Sequence, residues 1–476
     1  MPLILPGNVA SALGGAYEIA NSCRFDRGSN PHMTKTQSDG DRDKWTYSCW
    51  FKLGATFDAI RYLLTAKTDA TNYVTIEMDS ANRIRFGNLV GGSYNGFKKT
   101  NEYWRDVGAW THIVCVYDSE NGTAAHRMRI YINGTEITSW ATDTTTDQNQ
   151  DSAMNYSSAD VRVGNLDGES SWWDGYMAEV CLVDGSALAP TSFGEFDEDS
   201  PTIWKPIDVS GLSFGTNGFY LDFEASGNLG NDANGGTDLT EANIAATDQS
   251  ISTPTNNYAT LSPLIKGSYA TLTQGNLHLN GNTASDGGSC YATMSFPKSG
   301  KWYLEEKMTD AVGQMPESGI QNDAETSAFQ ANLNNSSGMT YKTNGSSINC
   351  SGNIMLDGSS AHSIDSIADG AIKQFAIDMD NGAVYYGLNN TWYNSGDPES
   401  GASKTGAIDT WTAGTRTNTV YGTTAYNGSD SETNFGDPTY ANSSDAADAD
   451  GSGKFEYSPP SGYFALNSKN IGEYGG

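Results

Sequence analysis

The run Trp110-Thr-His-Ile-Val-Cys-Val-Tyr117 (WTHIVCVY) decides the fold class. Trp110, His112, Val114 and Val116 alternate onto one face, and Ile113, Cys115 and Tyr117 onto the other. Both faces are largely apolar. A strand of this kind lies centrally in a layered β structure, covered on both sides.

The same period recurs outward from it. In Trp45 to Lys52 (WTYSCWFK), Trp45, Tyr47, Cys49 and Phe51 share a side. Arg127 to Asn133 (RMRIYIN) points Met128, Ile130 and Ile132 inward, and Asn133-Gly134 then closes a tight hairpin. Asn72 to Met78 and Arg83 to Phe86 read as a strand pair with a turn at Asp79–Asn82. Asp174 to Val183 reads as one more strand, residues 141–160 as a polar loop, and Ser186 to Phe193 as one short turn. Residues 225–265 lose the pattern and carry Pro254 and Pro263. Strand signals return at Leu277–Leu279, Cys290–Phe296 and Lys301–Met308. Gln374–Asp380 and Ala383–Leu388 flank Asn381-Gly382, a type I′ hairpin signal. Residues 396–452 read mostly as loop, and Phe455–Phe464 as a closing strand. The expected fold is all-β: two antiparallel jelly-roll or sandwich domains, at 21–224 and 266–476, joined by an extended connector at 225–265. Residues 1–20 are a separate leader.

Composition agrees. The 476 residues exceed one ordinary core. Gly is abundant at 53, aromatics make up 11% and charged residues only 18%, the balance of a turn-dense β protein. A net charge of −30 excludes nucleic acid and anionic membranes as expected partners. The acids read first as a solvated surface; Ca²⁺ is the ion that some of them would take, and no cofactor is required. The six Cys (23, 49, 115, 181, 290, 350) include no C-x-x-C pair, and Cys49, Cys115 and Cys181 sit in apolar runs as small buried hydrophobes. The start, Met-Pro-Leu-Ile-Leu-Pro, lacks a basic region and a long apolar run, so neither a secretory signal nor membrane insertion is expected.

Asn21 to Lys52, the run Trp110–Asp118, the hairpin Arg129–Gly134 and Asp174–Val180 together resemble a laminin-G-like, concanavalin A-like jelly roll. Ser192–Glu195, Asn217–Phe223 and Thr253–Leu264 resemble virion proteins of tailed bacteriophages, in which such a module precedes a SPRY-like domain. Ser299–Glu305, Ala376–Gly382, Asn389–Pro398 and Pro460–Ala465 match that second module; the Asn/Ser-rich stretch 309–350 departs from it. The resemblance implies a virion surface protein, assembled in the host cytoplasm as a tail fibre, spike or head decoration. It also implies an attachment arm at 1–20 that holds other virion proteins, host-surface glycans as ligands, and a homo-oligomer. A purely structural virion component and a polysaccharide depolymerase are the alternatives.

Concanavalin A-like folds also host glycanases with alternating carboxylates (E-x-D-x-E) on one strand. Tyr220–Glu224 has Tyr in place of the first Glu, and Glu195–Asp199 reads as a solvated turn. No H-E-x-x-H pair occurs, and His112 reads as a buried core residue, so no enzyme is expected. Sugar binding needs an exposed aromatic beside hydrogen-bonding groups. The candidates are Tyr94, Phe97, Tyr103 and Trp104 in the Gly/Asn-rich stretch 91–106, with Trp172 and Trp173 before Asp174.

Overall fold

The computed structural model describes residues 17–55, 59–281, 288–311, 316–322, 345–425 and 428–476. The described chain falls into two units that part between Thr255 and Asn256.

In the first unit, strand Thr111–Asp118 takes the central place that its two apolar faces require. It pairs antiparallel with Lys44–Leu53 on one side and Met128–Ile132 on the other. Gly175–Asp184 follows beyond Lys44–Leu53, and Ser22–Phe25 and Gln249–Ser250 complete that side of the sheet. A second antiparallel sheet runs in the order Trp140–Thr144, Ser93–Thr100, Ile84–Val90, Asn72–Met78, Arg61–Asp69, Asp160–Val163, His32–Thr36, Thr240–Ala242. Trp45, Tyr47, Cys49 and Phe51 meet Leu64, Val74, Ile76 and Phe86 between the sheets. The Trp45 ring stacks on Tyr117 at 5.5 Å and meets the edge of Phe86 at 5.5 Å. Asn133 and Gly134 both take positive φ, 45° and 75°, as a type I′ hairpin demands.

The first sheet is covered on its far face too. Val114, Val116, Cys181 and Val183 pack under Phe193, Val209 and Phe214. Trp50, Trp110 and Tyr176 pack with Trp204, Ile19 and Tyr17. His112 lies in this layer. Its Nδ1 accepts the Trp204 indole N–H at 3.0 Å, so Nε2 carries the proton and donates to Ser48 Oγ at 2.8 Å. Burial pushes its pKa down to about 3. It is the satisfied core histidine expected. Within the covering segment, Glu195 is not in a turn: Gly194–Phe196 is a strand paired with Trp204–Pro206, and Glu195 faces Lys205 at 3.2 Å.

The stretch 225–265 is only partly a connector. Thr240–Ala242 pairs with His32–Thr36, Gln249–Ser250 with Ser22–Phe25, and Leu261–Lys266 opens a sheet of the second unit. Strands of two or three residues leave no readable period. Residues 1–16 of the expected leader lie outside the described residues. Its last residues dock on the first unit: Ile19 N–H donates to Thr255 Oγ1 at 3.1 Å, and the Tyr17 hydroxyl donates to Glu179 at 3.2 Å.

The second unit is also two antiparallel sheets. One centres on Thr419–Ala425, between Gly288–Phe296 and Glu317–Asn322. The other centres on Lys301–Asp310, between Ile372–Asp378 and Asp430–Asn434. Thr419–Ala425 and Asp430–Asn434 fall in the stretch expected to be mostly loop, and Glu317–Asn322 and Gly345–Asn349 in the Asn/Ser-rich one. Their Thr and Ser hydroxyls hid them. Inside the sandwich those hydroxyls serve buried charges: Thr423 donates to Glu306, which pairs with Lys373 at 3.0 Å, and Lys373 also donates to Ser318 at 2.9 Å. The 374–388 hairpin is present with a wider turn than expected. Asp378 pairs with Ala383, so four residues form the loop, and only Gly382 of the Asn-Gly pair has positive φ. The Asp378 carboxylate accepts the Asn381 N–H at 2.9 Å and holds this wider geometry. Phe464–Ala465 adds a short parallel strand, and a helix at Ser468–Tyr474 is capped by Asn467, which accepts the Asn470 N–H. All six cysteines are buried and free.

Candidate functional site

The second sheet of the first unit turns Val74, Ile76, Ile84 and Phe86 to the core. Strand alternation then places Tyr73, Thr75, Glu77, Arg85, Gly87, Phe97 and Lys99 on the opposite face. The register sets Gly87 between Thr75 and Phe97, and Arg85 between Glu77 and Lys99.

Gly87 makes room for the first element of the site. A Cβ there would sit 2.8 Å from the Tyr94 ring and 3.2 Å from Phe97. Without it the two rings lie together, centroids 4.5 Å apart and tilted by 40°. Tyr94 keeps 37% of its surface exposed. The Arg85 guanidinium lies over Phe97 at 5.3 Å and pairs with Glu77 at 2.8 Å. Lys99, opposite Arg85, bonds Asp79 at 2.7 Å, and Arg83 reaches the same oxygen at 3.3 Å. Arg83 lies over the Tyr103 ring at 5.5 Å, and Arg105 over the same ring at 4.7 Å. Tyr103 is 51% exposed. These contacts join into one strip: Tyr94, Phe97, Arg85, Lys99, Arg83, Tyr103, Arg105.

Two carboxylates lie under the strip, and their environments push them apart. Burial drives Glu77 up to about 7, against Arg85, the Thr75 hydroxyl and Lys99, with Asp79 adding to the rise. Burial also acts on Asp79, but Lys99 and the Arg83 and Ala81 amides outweigh it and hold the carboxyl below its usual range. Glu77 and Asp79 are thus a third pair of carboxylates two residues apart, Glu77 on the strand that ends at Met78 and Asp79 opening the turn that follows. The pair does not face a substrate. Glu77 is 3% and Asp79 5% exposed, and cations hold both. At the near match Tyr220–Glu224 the strand ends at Leu221, and Phe223 turns with φ 59°. Asp222 and Glu224 therefore do not share a strand face.

Of the six aromatic candidates, Tyr94, Phe97 and Tyr103 belong to the strip. Trp104 is half-buried against the core, its backbone N–H donating to the Asn82 carbonyl at 2.8 Å. Trp172 is half-buried and bridges to Asn165. Its loop also carries Glu169, whose charge acts on the phenols of Tyr62 and Tyr73. Trp173 is a correction: it is fully buried, edge-on to Phe51 at 5.6 Å, and takes no part in a surface site. Alternation in consecutive residues turns Trp172 and Trp173 opposite ways. The cations Arg83, Arg85, Lys99 and Arg105 were missed; the period-2 spacing of Arg83 and Arg85 was the available signal.

A cleft of about 410 Å³ in the same unit is lined by Arg42, Asp69, Asn72, Leu89, Asp151 and Tyr156, among others. Its walls satisfy one another. Arg42 covers the Tyr156 ring at 4.2 Å and pairs with Asp151 at 2.7 Å, while Asp69 accepts from Thr71 and Asn72. Among the described residues no group of His, Cys, Asp and Glu could hold a metal ion, and no helix is long and apolar enough to cross a membrane.

Residues 27–191 match a laminin-G family model described as the concanavalin A-like lectin/glucanases superfamily. No curated protein matches the chain. Similar solved structures include the native heptameric SAP-like pentraxin from Limulus polyphemus, 18% identical, covering 37% of this chain and 80% of that one, with a TM-score of 0.26. The SPRY domain of human HERC1 is 12% identical over 36% of this chain and 96% of that one, TM-score 0.27. The CBM40 of the Ruminococcus gnavus IT-sialidase, solved bound to α2,3 sialyllactose, is 15% identical over 33% and 94%, TM-score 0.25. Over residues 27–191 the first unit is therefore similar to laminin-G-like, concanavalin A-like lectin domains.

Proposed function

We propose that the chain is a non-catalytic saccharide-binding protein of a tailed-bacteriophage particle, and that the aromatic and cationic strip of the first unit is its binding face. One observation carries the binding reading. Tyr94 and Phe97 stand together on the outer face of the sheet, Tyr94 exposed among the described residues, with a guanidinium beside them. A sugar ring packs its C–H face on such rings while neighbouring donors bond its oxygens. The family match over 27–191 supports the reading. The virion setting rests on the sequence resemblance of 192–223 and 253–264 alone, as does attachment through residues 1–20.

A glycan array with the full chain tests the binding half. Wild type is expected to retain a defined set of saccharides, and the Tyr94→Ala/Phe97→Ala double variant to lose them with at most a small fall in melting temperature. Retention of no saccharide by the wild type refutes it. Antibody labelling of purified particles tests the virion half, and particles without the protein refute that half.

A further inference from the structure

We infer that the saccharide taken by this face is anionic, a chain bearing carboxylate or sulfate groups. The inference rests on the saccharide-binding reading and names the ligand class for the same site.

Charge is the first argument. The chain carries a net −30, yet the strip gathers four cations, Arg83, Arg85, Lys99 and Arg105, over two carboxylates. One of those, Glu77, is held partly protonated near neutral pH. The groups of the strip itself are therefore net positive on a net negative molecule, with exposed Glu102 and Asp106 flanking Tyr103 and Arg105 in sequence. A screening length of about 8 Å in physiological salt lets a local cationic strip act despite distant negative charge.

Hydrogen-bonding sense is the second argument. A neutral sugar offers hydroxyl groups that donate as well as accept, and lectin sites usually meet them with open acceptors. Here the acceptors are shielded: Glu77 and Asp79 are 3% and 5% exposed. Within the strip the outward-facing groups are guanidinium and ammonium donors, aromatic faces and the Tyr94 and Tyr103 hydroxyls. A ligand that fits must bring its own acceptors.

The third argument is preorganisation. Arg83 and Arg105 both lie against Tyr103, and Arg105 is exposed. A guanidinium held over a ring keeps N–H groups for a planar carboxylate or a sulfate. A linear acidic chain lying on the sheet would meet Tyr94 and Phe97, then Arg85 and Lys99, then Tyr103 with its two guanidinium groups.

Titration calorimetry of the full chain tests this with five probes: oligogalacturonate, neutral galactose oligomers of equal length, dextran sulfate, dextran and oligothymidylate. The acidic sugars are expected to bind at least about tenfold tighter than their neutral counterparts, as charge-assisted bonds predict. That affinity should fall severalfold between about 0.05 and 0.3 M NaCl. Arg105→Ala, at an exposed position, should weaken acidic ligands about tenfold and neutral ones far less. Equal binding of neutral and acidic oligomers, or indifference to Arg105→Ala, overturns the inference and leaves the saccharide-binding reading standing. Oligothymidylate binding as tightly as oligogalacturonate also overturns it, since the face would then read phosphate. Binding of no saccharide at all sinks the function proposed above and this inference with it.

Discussion

The two sheets of the first unit share one alternation but treat their outer faces in opposite ways. On the first sheet Trp50, Trp110, Val114 and Cys181 point away from the core and lie buried under the segment carrying Phe193, Trp204 and Phe214. On the second, Tyr94 and Tyr103 point away and stay exposed, framed by Arg83, Arg85, Lys99 and Arg105. Purely apolar outer residues demand a cover, because their transfer from water contributes about 25 cal/mol per Å². Aromatic and cationic residues have an apolar body and a polar edge and can face water. The chemistry of the outward positions thus separates the structural face from the face available for binding.

The sharpest way to break the contrast is to damage the cover. Trp204 is buried, bonds His112, and fits so closely that a Cβ on Gly134 would sit 2.3 Å from its ring. Trp204→Ala should cost about 3–5 kcal/mol in urea denaturation, as large core truncations do. The same variant should leave the strip's ligand binding intact wherever the protein is still folded.

His112 gives the covered face a pH signature. Its pKa is lowered from 6.5 to about 3, so the fold favours the neutral ring. The stability it contributes is complete above pH 6.5 and is lost as pH falls toward 3. Between about pH 6.5 and 4.5 the loss should reach about 2–3 kcal/mol, at roughly 1.4 kcal/mol per unit. His112→Gln should flatten that part of the stability profile; an unchanged slope would show that other groups produce it.

The open face should respond weakly in stability and strongly in binding. Tyr94→Ala with Phe97→Ala should cost about 1 kcal/mol or less in melting, near the range of cross-strand pairs, while saccharide binding falls beyond detection. The smallest effect concerns Glu77, which faces Arg85, Lys99, Asp79 and Thr75. It gains charge as pH rises through about 7 and so makes the strip less cationic. Affinity for an acidic oligosaccharide should drop about two- to threefold from pH 6 to pH 8, as expected of one screened charge. In Glu77→Gln that drop should vanish.

Legibility followed the same division. Strands with an apolar period, such as Lys44–Leu53 and Thr111–Asp118, were readable residue by residue, down to the sides that Cys49 and His112 occupy. Strands buried by hydroxyls were not. Thr419–Ala425 looks like loop because its Thr side chains count as polar, yet Thr423 points between the sheets and donates to Glu306, the partner of Lys373. Three-residue strands such as Thr240–Ala242 are too short for any period and owe their form to the neighbour they pair with. In the site, the aromatic candidates included Tyr94, Phe97 and Tyr103. The cations were missed because a lone Arg or Lys reads as a solvated side chain, and only strand pairing brings Arg85 beside Lys99.

By itself the sequence determined the all-β class, the central strands, the Asn133-Gly134 hairpin and a pool of aromatic candidates. These follow from local steric preference and from a side-chain period of two, which any strand must obey. Only the tertiary structure decided which outer face is roofed and which is open, that Trp173 is core while Tyr103 is surface, and that four cations line up with the open aromatics. Those outcomes depend on which strands pair and in what register, and one residue of slip would turn every side chain to the opposite face.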